Sequence, residues 1–339
     1  MHKIEKKCLI DFFNTINTKF EYVVLRNADE LPFDNFSNDI DILIDKFKYN
    51  IFEREMKIVF LRNGFEKIER TSFHGIECYT FYNIKNQVPY SLKIDLFFNI
   101  EGGGIRYYDF NDIIKFKIKN SNGVSVFDNK TESYLTAFKT LAAGGLLKEK
   151  YLRNYISNNI EDYKELLSKS PSKKITNYLK EILITKKNPM KTARRTILLQ
   201  TFKSNFKKYG FFTFSIFLYH YKLEFKRAFS SDKSIIFKGV SNEVVIKYVN
   251  IIKQSARPVL RSNSNRIIFI NDNKLNIFNF FKYYFIKIVP LQRGDKIIIY
   301  NESSFFATKS KKSINLNIEK EPSNILSIII DNLADTLTP

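Results

Sequence analysis

Apolar residues recur at helical spacing near the start of the chain, at Leu9, Phe12, Phe13, Ile16 and Phe20, and predict a helix from Ile4 to Phe20. The period then changes. Tyr22-Val23-Val24-Leu25 is a short β-rich run, a loop containing Pro32 follows, and Asp39-Ile40-Asp41-Ile42 alternates as a strand with one buried face does. A helix is predicted over 52–63, ending at Gly64, then strands over Phe65–Arg70, Ile76–Tyr82 and Ser91–Phe98. Residues 131–143 and 147–168 read as helices, broken by Gly144-Gly145. From about 170 to 232 the pattern is helical, polar and basic. A new alternating segment opens at Ser234-Ile235-Ile236-Phe237, with further strand candidates at Val259-Leu260, Arg266–Ile270 and Lys296–Tyr300. No internal repeat is visible. The pattern predicts an α/β protein in three parts: residues 1–168, a helical connector over 169–232, and a second α/β domain over 233–339.

Composition narrows the class. The chain has 339 residues, 44% of them apolar, so it is long enough for two globular cores. Lys and Arg outnumber Asp and Glu by 55 to 35, a net charge of +20, and there are 33 Phe but no Trp. An acidic tail protein, a collagen-like chain and a disulfide scaffold are excluded. Two cysteines, Cys8 and Cys78, read as ordinary thiols in a reducing compartment. The charged start, Met1 to Lys7, leads into no apolar signal-peptide core. The longest apolar run, about Phe211 to Tyr219, is well short of the ~20 residues a spanning helix needs. The expected location is cytoplasmic.

The strongest chemical signal is Asp39-Ile40-Asp41 together with Asp95 in Leu92-Lys93-Ile94-Asp95-Leu96-Phe97. Side chains two apart on a strand share a face, so Asp39 and Asp41 project together while Ile40 and Ile42 enter the core. A third Asp on a neighbouring strand completes a cluster. Three ionised carboxylates repel one another strongly, and a hard divalent cation, Mg²⁺ or Mn²⁺, resolves that repulsion. Such a centre can clamp a phosphoryl group and activate an attacking hydroxyl. A lone Asp-x-Asp is more often a surface pair ending a strand. The residues before it change that balance.

Strand Tyr22–Leu25, then Arg26-Asn27, then eleven residues, then Asp39-Ile40-Asp41 resembles the nucleotidyltransferase superfamily of the DNA polymerase β type. That family has a strand, a Gly-Ser turn, a spacer, an Asp-x-Asp strand and a third acid on a later strand. The fuller run Val23-Val24-Leu25-Arg26-Asn27-Ala28-Asp29-Glu30-Leu31-Pro32 … Ser37-Asn38-Asp39-Ile40-Asp41 looks like one bacterial branch, found with surface-polysaccharide genes. In this chain Asn27 stands where the branch has glycine, and Asn tolerates left-handed geometry. The resemblance implies an α+β nucleotidyltransferase fold with a helical bundle over 131–168. It implies Asp39, Asp41 and Asp95 as metal ligands, with Asp95 also the catalytic group that activates the acceptor. It implies Arg26, Asn27 and Ser37 near the NTP, Arg26 either on phosphate or paired with an Asp. The reaction implied is transfer of NMP from an NTP to a small molecule, glycan or protein. Lys139 and Lys148 are within reach of phosphates in this scheme, but as helix lysines they read first as solvated residues. His74, before Gly75, reads first as an ordinary loop histidine.

Residues Ile235 to Ile246 resemble the opening of thymidylate-kinase-like domains, with Gly239 at the first glycine of a phosphate-binding loop. The second glycine, the Lys and the hydroxyl residue fall on Val244, Val245 and Ile246, which can neither wrap nor neutralise a phosphate. Leu291 to Asn301 resembles a later strand of those kinases, with Tyr300-Asn301 at its Asp-Arg pair. A kinase-derived domain without kinase activity is the expectation. Over 190–238, eleven basic residues stand against Glu224 and Asp232, a net +9, interleaved with aromatics. That segment reads as core between domains, as a peripheral surface for an anionic membrane or a protein partner, or, last, as a nucleic-acid surface. Three functions stay open: a Mg²⁺-dependent nucleotidyltransferase, a non-catalytic interaction protein of a biosynthetic complex, and an RNA-directed nucleotidyltransferase.

Overall fold

The structure is a computed structural model that describes residues 3–33, 39–73, 75–85, 89–102, 105–189, 194–228, 233–238, 241–255, 267–270, 297–301, 313–317 and 322–339. Ser37, His74, Gly239, Val259-Leu260 and Leu291–Lys296 lie outside them. Helix α1 (Lys3–Lys19) leads to β1 (Tyr22–Val24), β2 (Ile40–Ile44) and α2 (Tyr49–Arg62). Strands β3 (Lys67–Phe73), β4 (Ile76–Asn83), β5 (Tyr90–Phe97), β6 (Asn99–Gly102) and β7 (Ile105–Asp109) follow. Then come α3 (Phe110–Ile113), β8 (Lys117–Lys119), β9 (Ser125–Phe127), α4 (Asn129–Ala142), α5 (Glu149–Ile156) and α6 (Lys164–Ser168). Helices α7 (Lys173–Thr185), α8 (Arg194–Tyr209) and α9 (Phe211–Ala228) precede β10 (Lys233–Lys238) and α10 (Asn242–Ser255). The chain ends with β11 (Ile267–Ile270), β12 (Ile297–Asn301), β13 (Ser313–Asn317), α11 (Pro322–Leu333) and β14 (Asp335–Thr336). The fold is α/β. An eight-stranded mixed sheet has the order β14-β3-β4-β5-β2-β1-β9-β8.

Packing divides the chain into two compact units, Met1–Val59 with Ser72–Cys78 and Ile94–Tyr221, and Phe60–Thr71 with Tyr79–Lys93 and Lys222–Pro339. In the first unit, β1 pairs antiparallel with β2 and parallel with β9, and β2 pairs parallel with β5. All five residues of β2 are buried, as befits a strand covered on both faces. Helix α1 buries Leu9, Phe12, Phe13 and Ile16, the stripe its spacing predicts.

Helix α4 starts where the Asp128 carboxylate accepts the Thr131 N–H at 2.7 Å, satisfying an otherwise orphaned donor. It buries Tyr134, Leu135, Phe138, Leu141 and Ala142. Helix α7 starts at Ser172, whose hydroxyl accepts the Ile175 N–H, and buries Ile175, Tyr178, Leu179, Ile182 and Leu183. One core joins these residues to Tyr155, Tyr163 and Leu166, to Ile197 of α8, and to Val23, Leu43 and Phe97 of the sheet. Helices α7 and α8 therefore contribute side chains to this core. The β6–β7 hairpin and the β8–β9 pair are additions to the elements the pattern predicts.

In the second unit, β11, β12, β10 and β13 form a sheet in that order, all parallel. Such a sheet requires helical crossovers and is covered on its faces, which fits the uninterrupted Ile235-Ile236-Phe237 run. Phe237 packs with Val245, Tyr248, Val249 and Ile252 of α10 and Ile325, Ile329 and Ile330 of α11.

Candidate functional site

The parallel pairing of β2 with β5 is in register at Ile40 with Ile94 and Asp41 with Asp95. Two acids from distant sequence positions thus sit side by side. Asp39 lies one residue before β2 and projects with Asp41. Carboxylate oxygens of Asp39, Asp41 and Asp95 all lie within 4.8 Å of one another. Asp41 and Asp95 are buried and Asp39 is half-buried. The three residues that the Asp-x-Asp pattern and the third strand predict are therefore brought together. Burial pushes the Asp41 carboxyl above its ordinary value; Arg26 opposes this, and the charges of Asp39 and Asp95 add to it.

The turn after β1 supplies the neighbouring groups. The Leu25 N–H donates to the Asp41 carbonyl at 2.9 Å, which extends the β1–β2 ladder by one residue. Arg26 then donates its Nε–H to Asp41 Oδ2 at 2.5 Å, from a side chain that is half exposed while Asp41 is 4% exposed. Of the two roles the sequence leaves open for Arg26, the structure displays the ion pair. Asn27 follows at φ 52°, the left-handed region. Its backbone N–H donates to the Glu132 carboxylate of α4, a bond that holds Glu132 down against the larger upward push of burial. The next residues are fastened by Asn120, whose side-chain amide donates to the carbonyls of Ala28 at 2.9 Å and Leu31 at 3.2 Å.

Lys139 corrects the reading of a solvated helix lysine. It is half-buried, its Nζ lies 5.2 Å from the Phe97 ring centroid, and it shares a small cavity with Asp41 and Arg26. Burial pushes its pKa down, the Asp41 charge opposes that, and Arg26 adds to it. Its placement was visible in the spacing: Leu135, Phe138 and Ala142 form a buried stripe, and position 139 lies within it. Lys148, at the start of α5, is exposed. The sequence carried no signal for Glu132 or Tyr151, which line the site from α4 and α5.

Two cavities meet at these residues. The smaller, about 150 Å³, is lined by Arg26, Asp41, Lys139, Thr140 and Tyr151 among others. The larger, about 500 Å³, is lined mainly by neutral polar groups, including Asn129, Ser133, Asn154 and Asn158, with Lys150. Asn27, Glu132, Thr136 and Tyr151 line both. Carboxylates placed so that they could hold a hard cation thus stand beside two basic side chains and a space of small-ligand size. The donor set is all oxygen, as Mg²⁺ or Mn²⁺ requires, and fits such an ion. No family model matches the chain, and neither the curated proteins nor the solved structures contain a match to it.

Proposed function

We propose that the first unit is a divalent-metal-dependent nucleotidyltransferase that moves NMP from an NTP to a hydroxyl-bearing acceptor. The observation that carries this is the convergence of Asp39, Asp41 and Asp95 from β2 and β5. The resemblance of residues 22–41 to nucleotidyltransferases of the DNA polymerase β type adds to it. Asp39, Asp41 and Asp95 would hold the ion, Mg²⁺ or Mn²⁺. When bound, the ion supplies charge neutralisation and polarisation of phosphoryl oxygens.

The chain's own groups do the rest. Lys139 and Arg26 offset the charge of the triphosphate. The Asn27 turn, tied to Glu132, keeps the backbone beside the smaller cavity in one conformation. Asp95 takes the proton of the acceptor hydroxyl as its oxygen forms a bond to the α-phosphorus. The bond from that phosphorus to the bridging oxygen breaks, and pyrophosphate leaves with the electron pair. The expected setting is the cytoplasm, in surface-polysaccharide assembly. The second unit has no expected kinase activity: Val245, at the position of a phosphate-binding lysine in the resembling kinases, is buried in the core with Phe237 and Ile329.

The test is incubation with each labelled NTP and Mg²⁺ or Mn²⁺, beside the Asp39→Ala/Asp41→Ala variant. Metal-dependent nucleotide binding by the wild type alone supports the reading. Absence of NTP and metal binding in the wild type removes it. That result would favour a non-catalytic interaction protein, the reading to which the Arg26–Asp41 ion pair lends weight, since a cation of the chain already faces the acids.

A further inference from the structure

Helices α8 and α9 carry large apolar side chains on the faces turned away from the core. In α9, Thr213 and Ile216 are buried and Phe217 and His220 half-buried, which defines the inward face. Outward stand Phe211, 82% exposed, with Phe212, Phe214, Leu218, Tyr219 and Tyr221, each about half exposed. In α8 the inward face is Ile197, Thr201 and Asn205, all buried, and Leu199, Lys203, Phe206 and Lys207 are exposed. The two helices meet at Gly210, at φ 58°, where the Phe206 and Phe211 ring centroids are 5.6 Å apart. From residue 194 to 222 there are six basic residues and no acid. One of them, Lys208, is engaged by Asp109 at 2.7 Å and Asp112 at 3.4 Å.

We propose that this face lies on an anionic phospholipid surface, with the exposed Phe and Leu side chains at the acyl boundary and Lys203 and Lys207 among the phosphates. Large apolar side chains exposed together on two consecutive helices mark an interaction surface, and charge selects the partner. A second copy of this chain would set basic surface against basic surface in a protein of net charge +20. A nucleic acid would use the aromatic rings and lysines but offers nothing to Leu199 and Leu218. A lipid interface accepts all of them, since lysine stems run along apolar surface and place their ammonium groups in the headgroup layer. No helix among the described residues is long and apolar enough to cross a membrane, so the helices lie on the surface. None of these residues belongs to the acidic cluster, so this inference stands or falls apart from the proposed reaction.

The test is flotation of the full-length chain with vesicles of phosphatidylcholine alone or mixed with phosphatidylglycerol, at low and high salt. Binding is expected only to the mixed vesicles and is expected to weaken with salt. Lys203→Gln/Lys207→Gln should lower affinity about 30-fold, from roughly fivefold per basic residue near an anionic surface. Phe211→Ser/Phe212→Ser should abolish flotation, while circular dichroism stays unchanged because both rings are exposed. No binding to mixed vesicles overturns the proposal. So does binding that survives the Phe substitutions. If the substitutions instead abolish RNA retention or a dimer of the wild type, with no vesicle binding, the surface has a different partner and the proposal is likewise overturned.

Discussion

Arg26 holds Asp41 in an ion pair at 2.5 Å, so a cation from the chain occupies one edge of the acidic cluster. That cation and a metal ion compete for the same carboxylate. Arg26→Ala should therefore have opposite effects on folding and on metal binding. Without Mg²⁺, Asp41 loses its partner beside Asp39 and Asp95. The fold should weaken by ~1 kcal/mol, well below the cost of breaking a fully buried pair because the arginine is half exposed. Mg²⁺ affinity should rise, because no guanidinium has to be displaced. Chemical denaturation with and without Mg²⁺, beside calorimetric titration, reads both. Unchanged stability combined with weaker metal binding would contradict the competition.

Asp41 should respond to pH in the sense opposite to an ordinary paired carboxylate. Asp41 is raised above 3.8 by burial, against Arg26 and with Asp39 and Asp95. The folded state then binds this proton more tightly than the unfolded chain does. Ionised Asp41 thus costs stability at neutral pH, and the cost fades as pH falls through the raised value towards the ordinary one. Asp109 behaves the other way. Burial alone would raise it, but hydrogen bonds from Lys208 and Tyr209, with the charge of Arg106, hold it below 3.8. Its contribution is present above the ordinary carboxylate range and is lost as pH falls through the lowered value. In metal-free buffer, Asp41→Asn should raise the denaturation midpoint at pH 7, with a gain that shrinks on acidification. Asp109→Asn should lower it, with a deficit that shrinks on acidification. Parallel trends for the two variants would refute this electrostatic account.

The acidic cluster was legible in the sequence because a two-residue period fixes the face on which Asp39 and Asp41 lie, whatever the strand packs against. The match of Asp95 to Asp41 was legible only as a guess at the neighbour, since register between strands some fifty residues apart is a tertiary fact. Lys139 was readable but misread: charge suggested solvent, whereas its helical position placed it inside the apolar stripe. The bond from the Asn27 backbone to Glu132 had no sequence signal, because a main-chain donor carries no residue identity. The β6–β7 hairpin escaped notice for a related reason. Its residues Asn99 to Asp109 mix polar and aromatic positions, and a register shift falls between Ile100 and Glu101, so no clean alternation survives.

Lys139 separates binding from stability. Its ammonium is disfavoured by burial, and its stem packs near Phe97. Lys139→Met keeps much of that packing and removes the charge. Stability in metal-free buffer should change little, since relief of the buried ammonium offsets the loss of its charge beside Asp41. Nucleotide affinity should fall roughly tenfold or more, the size of a lost hydrogen bond to a charged group. Fluorescence titration with each NTP and a thermal melt of the same sample test the two halves. A variant that melts early yet binds NTP normally would assign Lys139 a purely structural role.

Asn27 holds the turn in left-handed backbone at φ 52° and offers its N–H to Glu132, and both are main-chain properties. Glycine adopts that conformation without a Cβ penalty, whereas alanine pays ~1 kcal/mol for it. Asn27→Gly should fold about as well as the wild type and retain metal-dependent nucleotide binding. Asn27→Ala should lose ~1 kcal/mol relative to the glycine variant. Where the turn is pulled out of shape, it should also release Glu132, whose carboxyl would then titrate higher because the opposing hydrogen bond is gone. Denaturation midpoints of the three proteins, with carboxyl titration followed by NMR, decide between a backbone and a side-chain role. Should Asn27→Gly lose nucleotide binding while keeping its stability, the asparagine amide itself would be the ligand.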